Sequence, residues 1–336
     1  MTPAPVKVAV VGVGYLGRFH AEKFAAIPQA ELVGVVDQDP DRAAEIAGSL
    51  GCRAFTDHRE VLDLVEAVSV VTPTVNHFEV ARDFLAAGRD VLCEKPITST
   101  LDEADRLVAL ARETGRILQV GHLERFNPAV EETFRRVNRP MFIECNRIAP
   151  FKARATDVDV ALDLMIHDLD IILALVGEEP VELRANGVPV LGPHADLVNA
   201  RLEFPSGCVA NVTASRLALK DERKMRIFQP EAYLALDFKE RHLMVVKGVE
   251  YRPGQEPKVE AESLSFPGSD PLFEELSAFV RSVADRSAPV VDGLAARRAL
   301  AAALAVRDCV SRGICGRESL LDEPRRWVDA KLPGES

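Results

Sequence analysis

The 336-residue sequence lacks the marks of an exported, membrane-bound or metal-binding protein. No apolar stretch reaches the ~20 residues of a membrane-spanning helix, and the N-terminus lacks the charged, apolar and small-residue pattern of a signal peptide. The six cysteines are scattered, and none forms C-x-x-C or pairs with histidine at metal-ligand spacing. We therefore expect a cytoplasmic protein with reduced thiols, no membrane partner and no metal site.

Basic residues are outnumbered, with 41 Lys and Arg against 52 Asp and Glu and a net charge of −11. This balance argues against a nucleic-acid partner, so an anionic small-molecule ligand would need a local basic cluster. The length is sufficient for two domains, each with its own core.

A glycine-rich turn lies near the start of the chain. The apolar run from Val8 leads into Gly12-Val13-Gly14-Tyr15-Leu16-Gly17, and residues 18–26, free of Pro and Gly, read as a helix. Gly12 suits a tight turn, Gly14 lets the backbone approach a pyrophosphate, and Gly17 lets helix and strand pack closely. Glycine-rich turns are common by themselves, so the elements that follow decide whether this one is a dinucleotide-binding motif.

An acidic residue follows at the expected offset. Residues 31–36 form a second strand-like run that ends in Asp37, about twenty residues past Gly17. A carboxylate there accepts hydrogen bonds from ribose hydroxyls and repels a 2′-phosphate, which favours NAD over NADP. The alternatives are that Asp37 is only a helix cap and that the nearby Arg42 permits NADP.

Strand and helix alternate through the first third of the chain, which predicts a doubly wound parallel sheet. A capping box at Thr100 and Glu103 opens one of the helices. The predicted strands are residues 8–11, 31–36, 52–55, 67–71, 90–93 and 117–120. The predicted helices are residues 18–26, 40–50, 58–66, 77–87 and 101–114.

Polar groups follow three of these strands, where ligands bind in such sheets. Thr72-Pro73-Thr74 and His77 follow one strand, Glu94-Lys95-Pro96 follows another, and residues 121–128 follow the last. Lys95 could be an ordinary surface lysine paired with Glu94. Fixed at a strand end before a proline, however, it is well placed for a hydroxyl or an oxyanion.

These motifs together resemble the Gfo/Idh/MocA oxidoreductases, with E-K-P the most specific of them. The resemblance implies a Rossmann domain over residues 1–123 and an α+β domain over residues 124–336. The second domain would carry a large, open, mostly antiparallel sheet whose free face makes a homodimer or homotetramer. The implied cofactor-binding residues are Gly12, Gly14, Tyr15, Leu16, Gly17, Asp37, Thr72, Pro73, Thr74, His77, Glu94, Lys95 and Gln119.

A polar stripe marks a helix predicted over residues 158–176, at Asp159, Asp163, His167 and Asp170. For Asp159 and Asp170 we expect a solvated face. D-x-x-x-H at Asp163 and His167 matches the family's second catalytic motif. The resemblance makes His167 the general base, Asp163 the residue that orients it, and Lys95 the alkoxide stabiliser.

The rest of the second half is rich in strands. We expect residues 253–268, rich in Pro, Gly, Ser and Glu, to be a surface excursion, and the tail around Trp327 to wrap back onto the body. The predicted strands are residues 141–148, 197–204, 208–215, 224–229, 232–238 and 243–247, and the predicted closing helices are residues 271–287 and 293–312.

The substrate is the least constrained feature. Residues 121–130 and 147–168 resemble family members that act on UDP-N-acetyl sugars, which predicts oxidation of a sugar hydroxyl. A diphosphate needs fixed cations, and the candidate substrate-binding residues are Arg125, Asn127, Lys152 and Arg154. A free sugar or inositol dehydrogenase and a non-catalytic NAD-binding regulator remain alternatives.

Overall fold

A six-stranded parallel sheet forms the first part of the computed structural model, which describes residues 4–150, 159–191, 194–250 and 258–321. Its order is β3-β2-β1-β4-β5-β6, and every pair is parallel. The predicted doubly wound sheet is confirmed. The strands are β1 (Val6–Val11), β2 (Ala30–Val36), β3 (Arg53–Phe55), β4 (Ala67–Val70), β5 (Asp90–Glu94) and β6 (Leu118–Gly121).

Four helices connect these strands: α1 (Tyr15–Ala26), α2 (Pro40–Leu50), α3 (His77–Ala86) and α4 (Leu101–Thr114). The capping box at Thr100 and Glu103 is present. The helix predicted over residues 58–66 is wrong, because only a 3-10 turn forms at His58–Val61. There Leu62 and Leu64 donate to carbonyl groups three residues back, so the tighter winding continues until the chain enters β4.

The second sheet has eight strands in the order β14-β13-β12-β11-β7-β10-β9-β8. All neighbours are antiparallel except β7 and β10. The predicted large, mostly antiparallel sheet is confirmed. The strands are β7 (Phe142–Ile148), β8 (Glu182–Val188), β9 (Leu197–Glu203), β10 (Val209–Ser215), β11 (Glu222–Gln229), β12 (Ala232–Asp237), β13 (His242–Glu250) and β14 (Lys258–Ser265).

Two of these strands lie at the sheet edges, where the sequence pattern did not reveal them. β14 falls inside the predicted surface excursion, so that prediction is wrong for residues 258–265. An edge strand gains backbone hydrogen bonds without burying side chains, and β14 is almost wholly exposed. β8, at the other edge, was not predicted.

Helices from the second half pack against both sheets. α5 (Pro128–Arg136) and α6 (Ile166–Val176) cover the inner face of the second sheet. α7 (Pro271–Asp285) returns to the core beside β1, whereas α8 (Gly293–Leu321) contributes to the cores of both sheets. The boundary at residue 123 stays a prediction. No described helix is long and apolar enough to cross a membrane.

Candidate active site

The glycine-rich turn joins β1 to α1. Gly12 has a φ of +86°, and a Cβ on it would lie 2.7 Å from the Val71 carbonyl oxygen. A Cβ on Gly17 would lie 1.8 Å from the Gly12 carbonyl oxygen, so the close approach of helix and strand requires glycine. Gly14 differs, because no atom lies within 4 Å of its Cβ position. Its side of the turn is open to a ligand.

This opening fits a dinucleotide. Gly14 precedes the first turn of α1, which has no side-chain cap, so its N–H groups can meet a pyrophosphate. Tyr15 and Leu16 form that turn and are exposed. The adjoining cleft has a volume of about 730 Å³, and its wall includes Gly12, Gly14, Asp37, Thr72 and Pro73.

Asp37 lies at the far end of this cleft with its carboxylate held in place. Its oxygens accept hydrogen bonds from the Val13 N–H at 2.9 Å and the Asp39 N–H at 3.0 Å. Arg42 approaches the same carboxylate at 3.4 Å. The position suits a ribose-binding acid, and Arg42 is the cation beside it.

Two predicted cofactor ligands, His77 and Gln119, are buried and do not line the cleft, so a direct cofactor contact from either stays a prediction. His77 is buried, with Nε2 2.8 Å from the Thr72 carbonyl oxygen and Nδ1 2.9 Å from that of Pro96. It therefore joins the loops that follow β4 and β5. Gln119 is fully buried and donates to the Glu275 carbonyl oxygen at 3.3 Å. Polar residues at strand ends can be satisfied inside the protein, and the sequence pattern does not distinguish the two cases.

Lys95 connects the end of β5 to the helical turn that precedes α6. Its Nζ donates to the Asp163 carbonyl oxygen at 2.9 Å and to the Asp163 carboxylate at 3.3 Å. Asp163 was predicted to orient His167, but its carboxylate is paired with Lys95 instead. Asp163 lies within a π-helical turn at Ala161–Met165, which precedes α6.

His167 is the second residue of α6 and lies close enough to Lys95 to be influenced by its charge. Burial is the main cause that holds the His167 pKa well below its ordinary value of 6.5, and the Lys95 and Arg147 charges act in the same direction. The imidazole is therefore neutral at neutral pH and able to accept a proton. Its Nδ1 is buried without a hydrogen-bond partner among the described residues.

Two buried ion pairs hold α6. Arg147 makes a bidentate pair with Asp168 at 2.9 and 2.8 Å, and Arg125 makes another with Asp170 at 2.6 and 3.1 Å. Asp170 is only 2% exposed, so its predicted solvated position is wrong. Asp159 is partly exposed and accepts a hydrogen bond from the Ala161 N–H at 2.7 Å. The two pairs fix the helix directly after His167.

The predicted substrate ligands have different locations. The Arg125 guanidinium is paired with Asp170 and its side chain is 12% exposed, so a substrate contact from it stays a prediction. Asn127 is buried as the N-cap of α5 and donates to the Phe238 carbonyl oxygen at 3.0 Å, so its predicted role as a substrate ligand also stays a prediction. Lys152 and Arg154, like Trp327, lie outside the described residues.

A buried polar chain behind Lys95 was missed from the sequence. His20 contacts Ser69 Oγ at 2.9 Å through Nδ1 and Glu94 at 3.3 Å through Nε2, and Glu94 accepts the Lys95 N–H at 3.1 Å. Glu275, on α7, is fully buried, and burial followed by the Glu94 charge raises its pKa well above 4.5. His20 lies on the buried face of α1, a histidine on an apolar stripe that could have been noticed.

The described residues contain no group of three or more His, Cys, Asp or Glu side chains placed to hold a metal. The groups available for chemistry are the cleft at Gly14 together with Lys95 and His167. These define a nicotinamide-dependent oxidoreductase of Rossmann type, with a lysine directly after β5 and a neutral histidine on α6.

Family models agree with this class. Residues 6–122 match the oxidoreductase family with an NAD-binding Rossmann fold, and residues 133–234 match the GFO/IDH/MocA C-terminal domain. The chain belongs to the Gfo/Idh/MocA oxidoreductase family, and it is an enzyme of that family.

One relative matches over nearly its whole length. The chain is 43% identical to the UDP-N-acetylglucosamine 3-dehydrogenase of Acidithiobacillus ferrooxidans, over 91% of this chain and 97% of that one. A solved structure of this enzyme, GnnA, has a TM-score of 0.87 and covers 92% of this chain and 99% of its own. Scyllo-inositol dehydrogenase from Lactobacillus casei, solved with NAD(H) and scyllo-inositol, has a TM-score of 0.77 at 19% identity, with 92% and 98% covered, and shows the fold alone.

Proposed function

We propose that the protein oxidises the carbon 3 hydroxyl of UDP-N-acetylglucosamine to the ketone with NAD as the oxidant. The observation that carries this proposal is 43% identity, over 91% of the chain, to a relative with that activity. The pairing of Lys95 with Asp163 and the neutral His167 supply the groups that such an oxidation needs.

His167 and Lys95 have different roles in this reaction because one is neutral and the other is positively charged. His167 takes the hydroxyl proton, because burial and neighbouring cations keep its imidazole neutral. Lys95, held by Asp163, stabilises the negative charge that develops on the substrate oxygen. NAD, when bound, supplies the hydride acceptor. The open backbone at Gly14 and the Asp37 carboxylate hold the dinucleotide.

We propose NAD rather than NADP as the preferred cofactor. The Asp37 carboxylate is fixed by two backbone N–H groups and faces the same cleft as Gly14, which favours ribose hydroxyls as its partners. A 2′-phosphate there would meet this negative charge. Arg42 is the group through which NADP would bind if Asp37 were replaced.

For the diphosphate we propose Lys152 and Arg154 as ligands, on the basis of their place in the sequence just before the helix with Asp163. Arg125 is a weaker candidate since Asp170 already neutralises it.

The alternative that the protein is an inositol dehydrogenase is supported by a Bacillus subtilis scyllo-inositol 2-dehydrogenase, which is 33% identical over only 63% of this chain. A regulator without turnover is disfavoured because Lys95 and His167 are both present.

We further propose a cytoplasmic homodimer or homotetramer that supplies a 3-keto sugar for the diamino sugars of lipid A. The outer face of the second sheet carries an aromatic cluster of Phe142, Phe228 and Tyr233, with ring centroids 5.9 and 4.9 Å apart. These three residues are neighbours on β7, β11 and β12, so the cluster is a continuous apolar surface suited to a second copy.

The test is NADH formation by the purified protein with NAD and UDP-N-acetylglucosamine. Glutamate and a sugar aminotransferase are included to remove the ketone, whose formation is uphill. We expect turnover that is lost in Lys95→Ala and His167→Ala. Turnover with an inositol or a free sugar but not with the nucleotide sugar would overturn the substrate assignment, and bound NAD without any turnover would support the regulator.

A further inference from the structure

His122 lies beside His167 but belongs to neither of the predicted catalytic motifs. It follows β6 directly and is 1% exposed. Its ring meets the His167 ring edge to face, with centroids 6.4 Å apart and planes at 81°. The loop after β6 therefore brings a second imidazole against the proposed base.

Three ring nitrogens are concentrated at this contact. Both nitrogens of His122 and Nδ1 of His167 are buried without a hydrogen-bond partner among the described residues. A buried imidazole nitrogen without a hydrogen-bond partner destabilises the folded state, so three of them together would be unusual unless they serve each other. With the ring centroids 6.4 Å apart, the nitrogens of the two rings are too far apart for a direct hydrogen bond. One water molecule between the rings would bridge this distance.

Four charged groups surround His122. Its Nδ1 lies 3.9 Å from Asp170, which Arg125 neutralises in part, and the Lys95 and Glu94 charges also act on it. Burial is the main cause that lowers the His122 pKa, so the ring is neutral beside a neutral His167. Asp170, followed by Glu94, is the group whose charge would stabilise a proton on His122.

We propose that His122 is a positioning residue for His167 that also accepts its second proton. Through a bridging water, Nε2 of His122 holds His167 in the tautomer with hydrogen on Nδ1, so that Nε2 of His167 faces the substrate. When the substrate hydroxyl gives its proton to that Nε2, the Nδ1 proton passes through the water to Nε2 of His122. One proton enters the pair at His167, and the positive charge comes to lie beside Asp170. The inference rests on the proposed function only in taking His167 as the base.

The experiment compares His122→Gln and His122→Phe with His242→Gln as a matched control. His242 lies on β13 and contacts Ser263 at 2.7 Å, not a residue of this site. Each variant with NAD bound is labelled with ¹⁵N in its histidines, and the His167 tautomer and titration are followed by NMR. We expect Nδ1–H to dominate in the wild type and in His242→Gln, and to lose its dominance in both His122 variants.

Kinetics give the second readout. We expect kcat to fall at least about tenfold in both His122 variants with little change in KM, and the acid limb of the pH profile to move. Unchanged His167 resonances would overturn the proposal, even if kcat fell, because a purely structural role would lower activity without changing the tautomer. The NMR readout needs no substrate, so it remains informative if UDP-N-acetylglucosamine is not turned over. If His122→Gln melts too early to study, His122→Phe retains the ring shape.

Discussion

At the scale of single residues, the site depends on titratable groups that burial keeps neutral. His167 and Glu275 are the two main cases, since the pKa of the first is held well below 6.5 and that of the second well above 4.5. The first makes a base available at neutral pH, and the second keeps a carboxyl protonated behind Glu94. Both effects have burial as their largest cause, so both should be visible in pH dependence.

The lowered His167 pKa predicts the acid limb of activity. As pH falls, kcat/KM should stay level through 6.5, the ordinary histidine value, and decline only when His167 becomes protonated at lower pH. The measurement is kcat/KM for the sugar from pH 4.5 to 9 at saturating NAD. A limb centred at 6.5 or higher would contradict the neutral, buried base.

Glu275→Gln should stabilise the protein, and more so at higher pH. The raised pKa means that the folded state keeps a proton which the unfolded state releases above about pH 4.5, so the native carboxyl loses stability as pH rises from that value toward the folded pKa. Glutamine removes this dependence. We expect Tm to rise by about 2 °C or more at pH 8 and by less at pH 5.

The control for this change is Glu274→Gln, at the exposed neighbouring position on α7, which should leave Tm unchanged at both pH values. If Glu275→Gln lowers Tm at pH 8, then Glu275 is ionised and paired in the native protein, and the interpretation fails.

At the scale of elements, α6 is placed by ion pairs that the helix pattern alone did not predict. The sequence predicted a helix with a polar stripe, and periodicity cannot say whether a charged side chain faces water or a buried arginine. Asp170 was assigned to solvent for that reason, whereas Asp163 was assigned to His167 on the family resemblance. The π-turn and the pairs with Arg125 and Arg147 depend on distant strands and loops.

Asp170→Asn tests this placement. The change leaves the Arg125 charge without its buried partner, and breaking such a pair costs about 3 kcal/mol. We expect a loss of that size in the free energy of unfolding from urea titration, together with a lower kcat as His167 loses its fixed helix. The matched control is Asp105→Asn, which breaks the exposed pair with Arg297 and should cost less than about 1 kcal/mol.

At the scale of the whole molecule, local patterns revealed most of the architecture. The glycine turn, the apolar parallel strands and the alternating strands of the second sheet are all local signals, and they gave the fold class. The edge strand β14 and the His20–Glu94–Lys95 chain were missed, because an exposed edge has no apolar pattern and the chain joins residues far apart in sequence. Such features need the tertiary structure.

The aromatic cluster on the second sheet predicts the assembly. Phe228→Asp puts a charge among Phe142 and Tyr233, so we expect the wild type to have the mass of the proposed oligomer and Phe228→Asp that of a monomer in size-exclusion chromatography with light scattering. Leu294→Asp, at an exposed apolar residue on α8, is the control and should not change the mass. An unchanged mass in Phe228→Asp would place the interface elsewhere.

In the proposed reaction a hydride passes from carbon 3 of UDP-N-acetylglucosamine to the nicotinamide. The most direct measurement is transfer of deuterium from the substrate labelled at carbon 3, with the ketone removed by an aminotransferase and the reduced cofactor analysed by mass spectrometry. We expect one deuterium in NADH from this substrate and none from substrates labelled at carbon 2 or carbon 4, with transfer lost in Lys95→Ala. Deuterium transferred from another carbon, or NADH formed without deuterium, would contradict it.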